Sequence, residues 1–150
     1  MRHLVALAAL LAAAPAAARE PEFQIPIAVK TLGNGLTVVV SEDHSSPVFG
    51  LCAIYRVGMR LEPRGRSGFA HLFEHMMFEG TPRAPKGTFD RVVEGGGGVL
   101  NGSTRADYTN YVSTAPVSAL DAVLWLEADR MKGLDFSDDN LRNQKEVVKE

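Results

Sequence analysis

Two histidines and a glutamate fall within five residues, His71-Leu72-Phe73-Glu74-His75. On a helix, residues four apart share a face, so His71 and His75 would stack one above the other. Two imidazoles placed in this way can take one Zn²⁺ through ring nitrogens at about 2.0–2.1 Å. Glu74 points to the same side. It is too close to His75 in sequence to share the metal comfortably, but it is placed to take a proton from a water activated by the metal. Two imidazoles leave the ion short of a protein ligand, and a carboxylate from elsewhere is the expected third. The bland alternative is a packed helix with satisfied polar residues. Against it, burying three ionisable groups without a metal or partner would cost several kcal/mol.

The elements that must position these groups can be read from the surrounding residues. Ser67 is the expected N-cap of the motif helix, ahead of Gly68-Phe69-Ala70. Phe69, Leu72, Phe73, Met76 and Met77 follow helical spacing, and Gly80, Pro82 and Pro85 end the run. A last helix is expected over 138–150, capped by Ser137, with Asp138 and Asp139 in the first turn where the helix dipole favours them. Glu146 and Glu150 lie four apart on it. Either is a candidate for the missing carboxylate, and spacing alone does not choose between them. An exposed acidic face is the ordinary fate of such residues. This helix has no stop signal, so the chain reads as part of a longer catalytic unit, with Glu150 prone to fray and zinc retention by these 150 residues alone expected to be weak.

Between the N-terminus and the motif, residues 29–32 and 36–40 read as a β-hairpin around Gly33-Asn34-Gly35. Residues 48–57 read as a long strand, apolar enough to be central, with Cys52 buried in it. Beyond the motif come a short helix over 89–94, four glycines at Gly95-Gly96-Gly97-Gly98, and two strands over 99–104 and 108–114. The glycines lack the Lys-Ser/Thr ending of a phosphate loop and read as a turn or a place of close backbone approach. Pro116 is the expected first residue of a helix that ends at Gly133. This alternation predicts an α+β fold, a mainly antiparallel sheet packed against helices.

Bulk properties narrow the functional classes. Among 150 residues the net charge is −2 with no basic block, so there is no electrostatic footprint for nucleic acid. The single cysteine excludes an internal disulfide. Residues 1–18 read as a signal peptide: Arg2 and His3, an apolar run from Leu4 to Ala14, and Ala16-Ala17-Ala18 as the cleavage pattern. Export is expected, to the periplasm or, as the alternative, to the medium. No cysteine marks a lipid anchor at the cleavage site and no second apolar run would span a bilayer, so no stable membrane anchor is expected. Residues 19–150 then form one domain.

The motif residues, continued by Met76-Met77-Phe78-Glu79-Gly80-Thr81, resemble the inverted zinc motif of the M16 (pitrilysin/insulinase) metallopeptidases. Asn101-Gly102-Ser103-Thr104, Asp107, Thr109 and Tyr111 resemble the family's N-A-x-T-x-x-D/E-x-T-x-Y stretch, and Val147-Val148-Lys149-Glu150 its V-x-x-E ligand motif. The resemblance implies the N-terminal part of an M16 peptidase domain, a LuxS/MPP-like half-domain truncated at its C-terminal end. It implies a zinc endopeptidase acting on peptides or unfolded segments, with Zn²⁺ held by His71, His75 and Glu150, and Glu74 as general base. Glu150 is preferred to Glu146 because it holds the Glu position of V-x-x-E. Asn101, Gly102, Ser103 and Thr104 would lie on the edge strand that pairs with the substrate backbone, in keeping with the unpaired groups an edge offers. Gly102 stands where the family usually has Ala, a departure expected to loosen the strand without removing a chemical group. A second homologous domain or subunit would close the chamber. The alternatives are a non-catalytic partner subunit of such a complex and a metal-binding protein without catalysis. Intact His71, Glu74, His75 and Glu150 argue against the first, and Glu74, which has no purpose in a storage site, against the second.

Overall fold

The computed structural model describes residues 24–149; the expected signal peptide over 1–18 and Glu150 lie outside them. The chain divides into two compact units between Asp43 and His44. The described part of the first is an antiparallel hairpin of β1 (Ala28–Thr31) and β2 (Thr37–Val40), with Ala28 opposite Val40 and Thr31 opposite Thr37. Its turn is closed by the Leu36 amide donating to Asn34 Oδ1 at 3.1 Å, and Gly35 takes the positive φ of +86° that the turn demands.

The second unit is built on a three-stranded antiparallel sheet of β3 (Val48–Tyr55), β4 (Val99–Thr104) and β5 (Thr109–Pro116), in the order β3-β5-β4. Four helices accompany it: α1 (Phe69–Met76), α2 (Thr88–Val93), α3 (Leu120–Arg130) and α4 (Asp138–Lys149). The architecture is α+β, as the sequence predicts. Its centre is not. The apolar length of β3 suggests a central strand, but β5 takes that place. Thr109, Tyr111, Ser113 and Ala115 of β5 are all buried, while β3 is half-buried on one side and exposed on the other. Cys52 lies on the exposed side and is itself exposed, contrary to its reading as a buried residue. The period of two decides this: Phe49 and Leu51 pack on the core of Val93, Ala115 and Val123, which turns Cys52 the other way.

Two polar clusters tie the helices down. Arg130 pairs with Glu127 through Nε and Nη2, both residues buried, and its guanidinium lies 4.7 Å from the Phe89 ring centre and 4.4 Å from that of Tyr111. Burial pushes the Glu127 carboxyl above its usual range, against the opposing charge of Arg130. Asp129 accepts hydrogen bonds from Thr81 Oγ1 and from Arg83 Nε, fastening the loop after α1 to α3. The Thr81 hydrogen bond, and then Arg83, hold the Asp129 carboxyl below its usual range. Pro116 closes β5 and precedes a short 3-10 turn, so α3 begins at Leu120 rather than at the proline. Among the described residues no helix is long and apolar enough to cross a membrane.

Candidate metal centre

α1 starts differently from the sequence expectation. Its N-cap is Gly68, in the left-handed conformation at φ +85°, and not Ser67. A glycine has no side chain to cap with, and Glu62 supplies the acceptor instead. Its Oε2 accepts from the Gly68 amide at 3.0 Å and its Oε1 from the Ala70 amide at 2.8 Å. A carboxylate here also meets the positive end of the helix dipole.

From this start, helical spacing brings His71 and His75 together. Their Nε2 atoms lie 3.2 Å apart and their ring centres 4.7 Å apart. Two nitrogens bound tetrahedrally to one Zn²⁺ at about 2.0–2.1 Å would stand about 3.3 Å from each other. The pair therefore fits a shared cation with little movement. His71 is exposed and His75 half-buried, so the pair opens to solvent on the His71 side. Among the described residues no group of three or more His, Cys, Asp or Glu side chains is placed to hold a metal. Glu146 is exposed on α4 and joins no such group. Glu150, the residue carried over from the resemblance, lies outside the described residues.

Glu74 faces β4. Its Oε2 accepts a hydrogen bond from Thr104 Oγ1. Beneath it, Gly102 leaves room that a side chain would fill: a Cβ at that position would sit 3.1 Å from Glu74 Oε1 and 3.1 Å from Phe78 Cε2. A side chain at this position would press on the Glu74 carboxylate and Phe78, so the glycine bears on where Glu74 rests and not only on the looseness of the strand. Thr104, expected only as part of the substrate edge, turns its hydroxyl to the candidate base.

β4 does lie at the edge of its sheet, with β5 as its one neighbour among the described residues. Asn101 is exposed, and its Oδ1 accepts from the Gly102 amide at 2.8 Å. Ser103 Oγ is 2.7 Å from Asn110 Oδ1 on β5 and donates to it. Behind Glu74, Tyr111 stacks edge-on to Tyr55 at 5.5 Å. Burial pushes the Tyr111 phenol well above its ordinary range, opposed by Arg130 and reinforced by Glu74. Tyr55, Tyr111, Phe69, Phe73 and Met77 also line an apolar cavity of about 410 Å³ beside α1, which contains neither histidine nor Glu74.

Two residues of the centre escape sequence reasoning. Gln144 of α4 places Oε1 3.0 Å from His75 Nδ1, and its Nε2 donates to Glu79 Oε1 at 2.8 Å. Glu79 in turn accepts from Lys86 Nζ at 2.7 Å. The available signal was position: Gln144 falls between Leu141 and Val148 on the inward stripe of α4, where an apolar residue is the ordinary choice.

Comparison with known proteins places these residues in context. Residues 37–150 match the family described as Insulinase (Peptidase family M16). The zinc protease PqqE of Helicobacter pylori is 39% identical over 121 residues, which is 80% of this chain and 27% of that protein. Subunit 1 of the rat (Rattus norvegicus) mitochondrial cytochrome b-c1 complex is 30% identical over 128 residues, covering 85% of this chain and 26% of the subunit. The crystal structure of a protease from Helicobacter pylori superposes with a TM-score of 0.77 at 35% identity, covering 83% of this chain and 30% of the other. The chain thus spans less than a third of the length of each of these proteins.

Proposed function

Because the chain belongs to the insulinase family of peptidases, family M16, we propose that it is the N-terminal part of a zinc-dependent endopeptidase acting on peptides or unfolded polypeptide segments. The observation that carries this reading is the pair of Nε2 atoms 3.2 Å apart with Glu74 fixed beside them by Thr104. His71 and His75 would hold the ion, with Glu150 completing the set. Zinc, when bound, supplies a Lewis acid that makes water nucleophilic near neutral pH and polarises a carbonyl oxygen.

The rest of the chemistry belongs to the chain. An extended peptide adds to the side of β4 turned away from β5, exchanging backbone hydrogen bonds along Asn101, Gly102, Ser103 and Thr104. That alignment sets the scissile bond over α1. Glu74 takes the proton from the attacking water and returns it to the leaving amine. The Thr104 hydroxyl keeps the carboxylate turned toward the substrate strand during both transfers. A second homologous domain or subunit encloses the peptide, and the leader-like residues 1–18 direct the protein to the periplasm or, alternatively, to the medium. Cell fractionation tests the last point: protein confined to the cytosol would refute export.

A second reading, a partner subunit without catalysis, draws on the similarity to a protein named as a subunit of a larger complex. One experiment separates the two. In the full-length protein, Glu74→Gln keeps the shape of the helix and the histidines but removes the base. Under the catalytic reading zinc content is unchanged while hydrolysis of an unfolded polypeptide falls by about 10²–10⁴-fold. Hydrolysis that survives the substitution refutes Glu74 as base, and a wild-type protein without hydrolysis turns the assignment to the partner subunit.

A further inference from the structure

Holding a cation requires a lone pair on Nε2, so the proton of a neutral ligand histidine must sit on Nδ1. We propose that Gln144 and Glu79 place that proton for His75, through a chain of hydrogen bonds whose direction is set at its far end by Lys86. The inference rests on the reading of His71 and His75 as ligands.

The direction follows from which groups can only give or only take. The Lys86 ammonium has protons to give and no lone pair with which to accept, and it donates to Glu79 Oε2 at 2.7 Å. Glu79 is buried, and the carboxylate that pairs with this ammonium has only lone pairs to offer Gln144. The Gln144 amide must therefore turn its NH₂ group to Glu79 Oε1, at 2.8 Å. Its carbonyl oxygen is left facing His75 Nδ1 at 3.0 Å. A carbonyl oxygen cannot donate, so Nδ1 carries the proton, and in the neutral ring Nε2 keeps its lone pair on the His71 side. The opposite amide orientation would set carbonyl oxygen against carboxylate in a buried site. It would also leave a proton on Nε2, where a ligand cannot have one. Gln144 is itself buried, with 7% of its surface exposed, so water is poorly placed to rescue the wrong orientation. Gln144 and Glu79 are thus positioning residues: neither reaches the reacting atoms, and both act through His75.

The test uses the full-length protein with ¹⁵N-labelled histidine. The tautomer of His75 is read by long-range ¹⁵N–¹H correlation in the metal-free protein, and zinc affinity by competition with a chelator. Wild type is expected to show His75 protonated on Nδ1. Glu79→Gln frees the Gln144 amide to turn and is expected to give a mixture of tautomers. Gln144→Leu removes the acceptor altogether. Both variants are expected to bind zinc about 10–100-fold more weakly while keeping the wild-type circular dichroism. A wild-type His75 protonated on Nε2 overturns the proposal, and this arm needs no variant to fold. Zinc affinity in both folded variants within about twofold of wild type, well short of the loss expected for such partners, overturns it as well. Undiminished zinc binding in His71→Ala and His75→Ala would instead defeat the underlying ligand reading, whatever the tautomer.

Discussion

Thr104 and Gly102 show how much of a catalytic group's placement can come from a neighbouring strand. The carboxylate of Glu74 is held by one hydroxyl and rests where a side chain at Gly102 would press on it. A hydrogen bond to a charged group contributes about 1.5–3 kcal/mol, so Thr104→Val should lower kcat by roughly tenfold to a hundredfold. KM and zinc content should stay near wild type, and Thr104→Ser should recover most of the loss. Equal falls in Thr104→Val and Thr104→Ser would deny the hydroxyl this role. At this scale the sequence was informative wherever the geometry is local. That His71 and His75 meet was legible because four-residue spacing on a helix fixes which side chains share a face. The bond between Thr104 and Glu74 joins a strand to a helix across 30 positions, and the link from His75 to Gln144 spans 69. No periodicity encodes such pairings. The Gly102 departure was visible, but its meaning depends on where Glu74 lies above it.

Elements are held in register by groups that sequence rules for caps and cores assign differently. Ser67 is of a residue type that N-caps favour, yet the left-handed turn at Gly68 gives the work to Glu62. Glu62→Ala should therefore cost about 1 kcal/mol in chemical denaturation, and Ser67→Ala close to nothing. Comparable losses in the two would contradict the cap assignment. Likewise β3 has the apolar composition of a central strand, but composition cannot say which neighbour lies on each side. The loop after α1 offers a pH test. The Asp129 carboxyl lies below its ordinary value of 3.8, chiefly through the Thr81 hydrogen bond and then through Arg83. A lowered folded-state value stabilises the protein above the unfolded value, and that contribution is lost as pH falls through the lowered one. The stability gap between wild type and Asp129→Asn should accordingly be constant from neutrality to mild acid and shrink below pH 3.8. A gap independent of pH throughout would contradict it.

At the scale of the whole molecule, family membership was legible because three motifs stand in order along the chain, a property of sequence alone. What the sequence does not display is that α4 docks on α1 through Gln144 and His75, so the helix expected to end in the third ligand packs beside the helix that carries the first two. Glu150 is the residue on which the proposed centre depends most and which the described structure does not include. Elemental analysis of the full-length protein and its Glu150→Gln variant tests the centre directly. About one zinc per chain in wild type, lost or greatly weakened in the variant, is the result predicted for a site of two histidines and one glutamate. Wild type without zinc, or a variant that keeps it undiminished, would contradict that site.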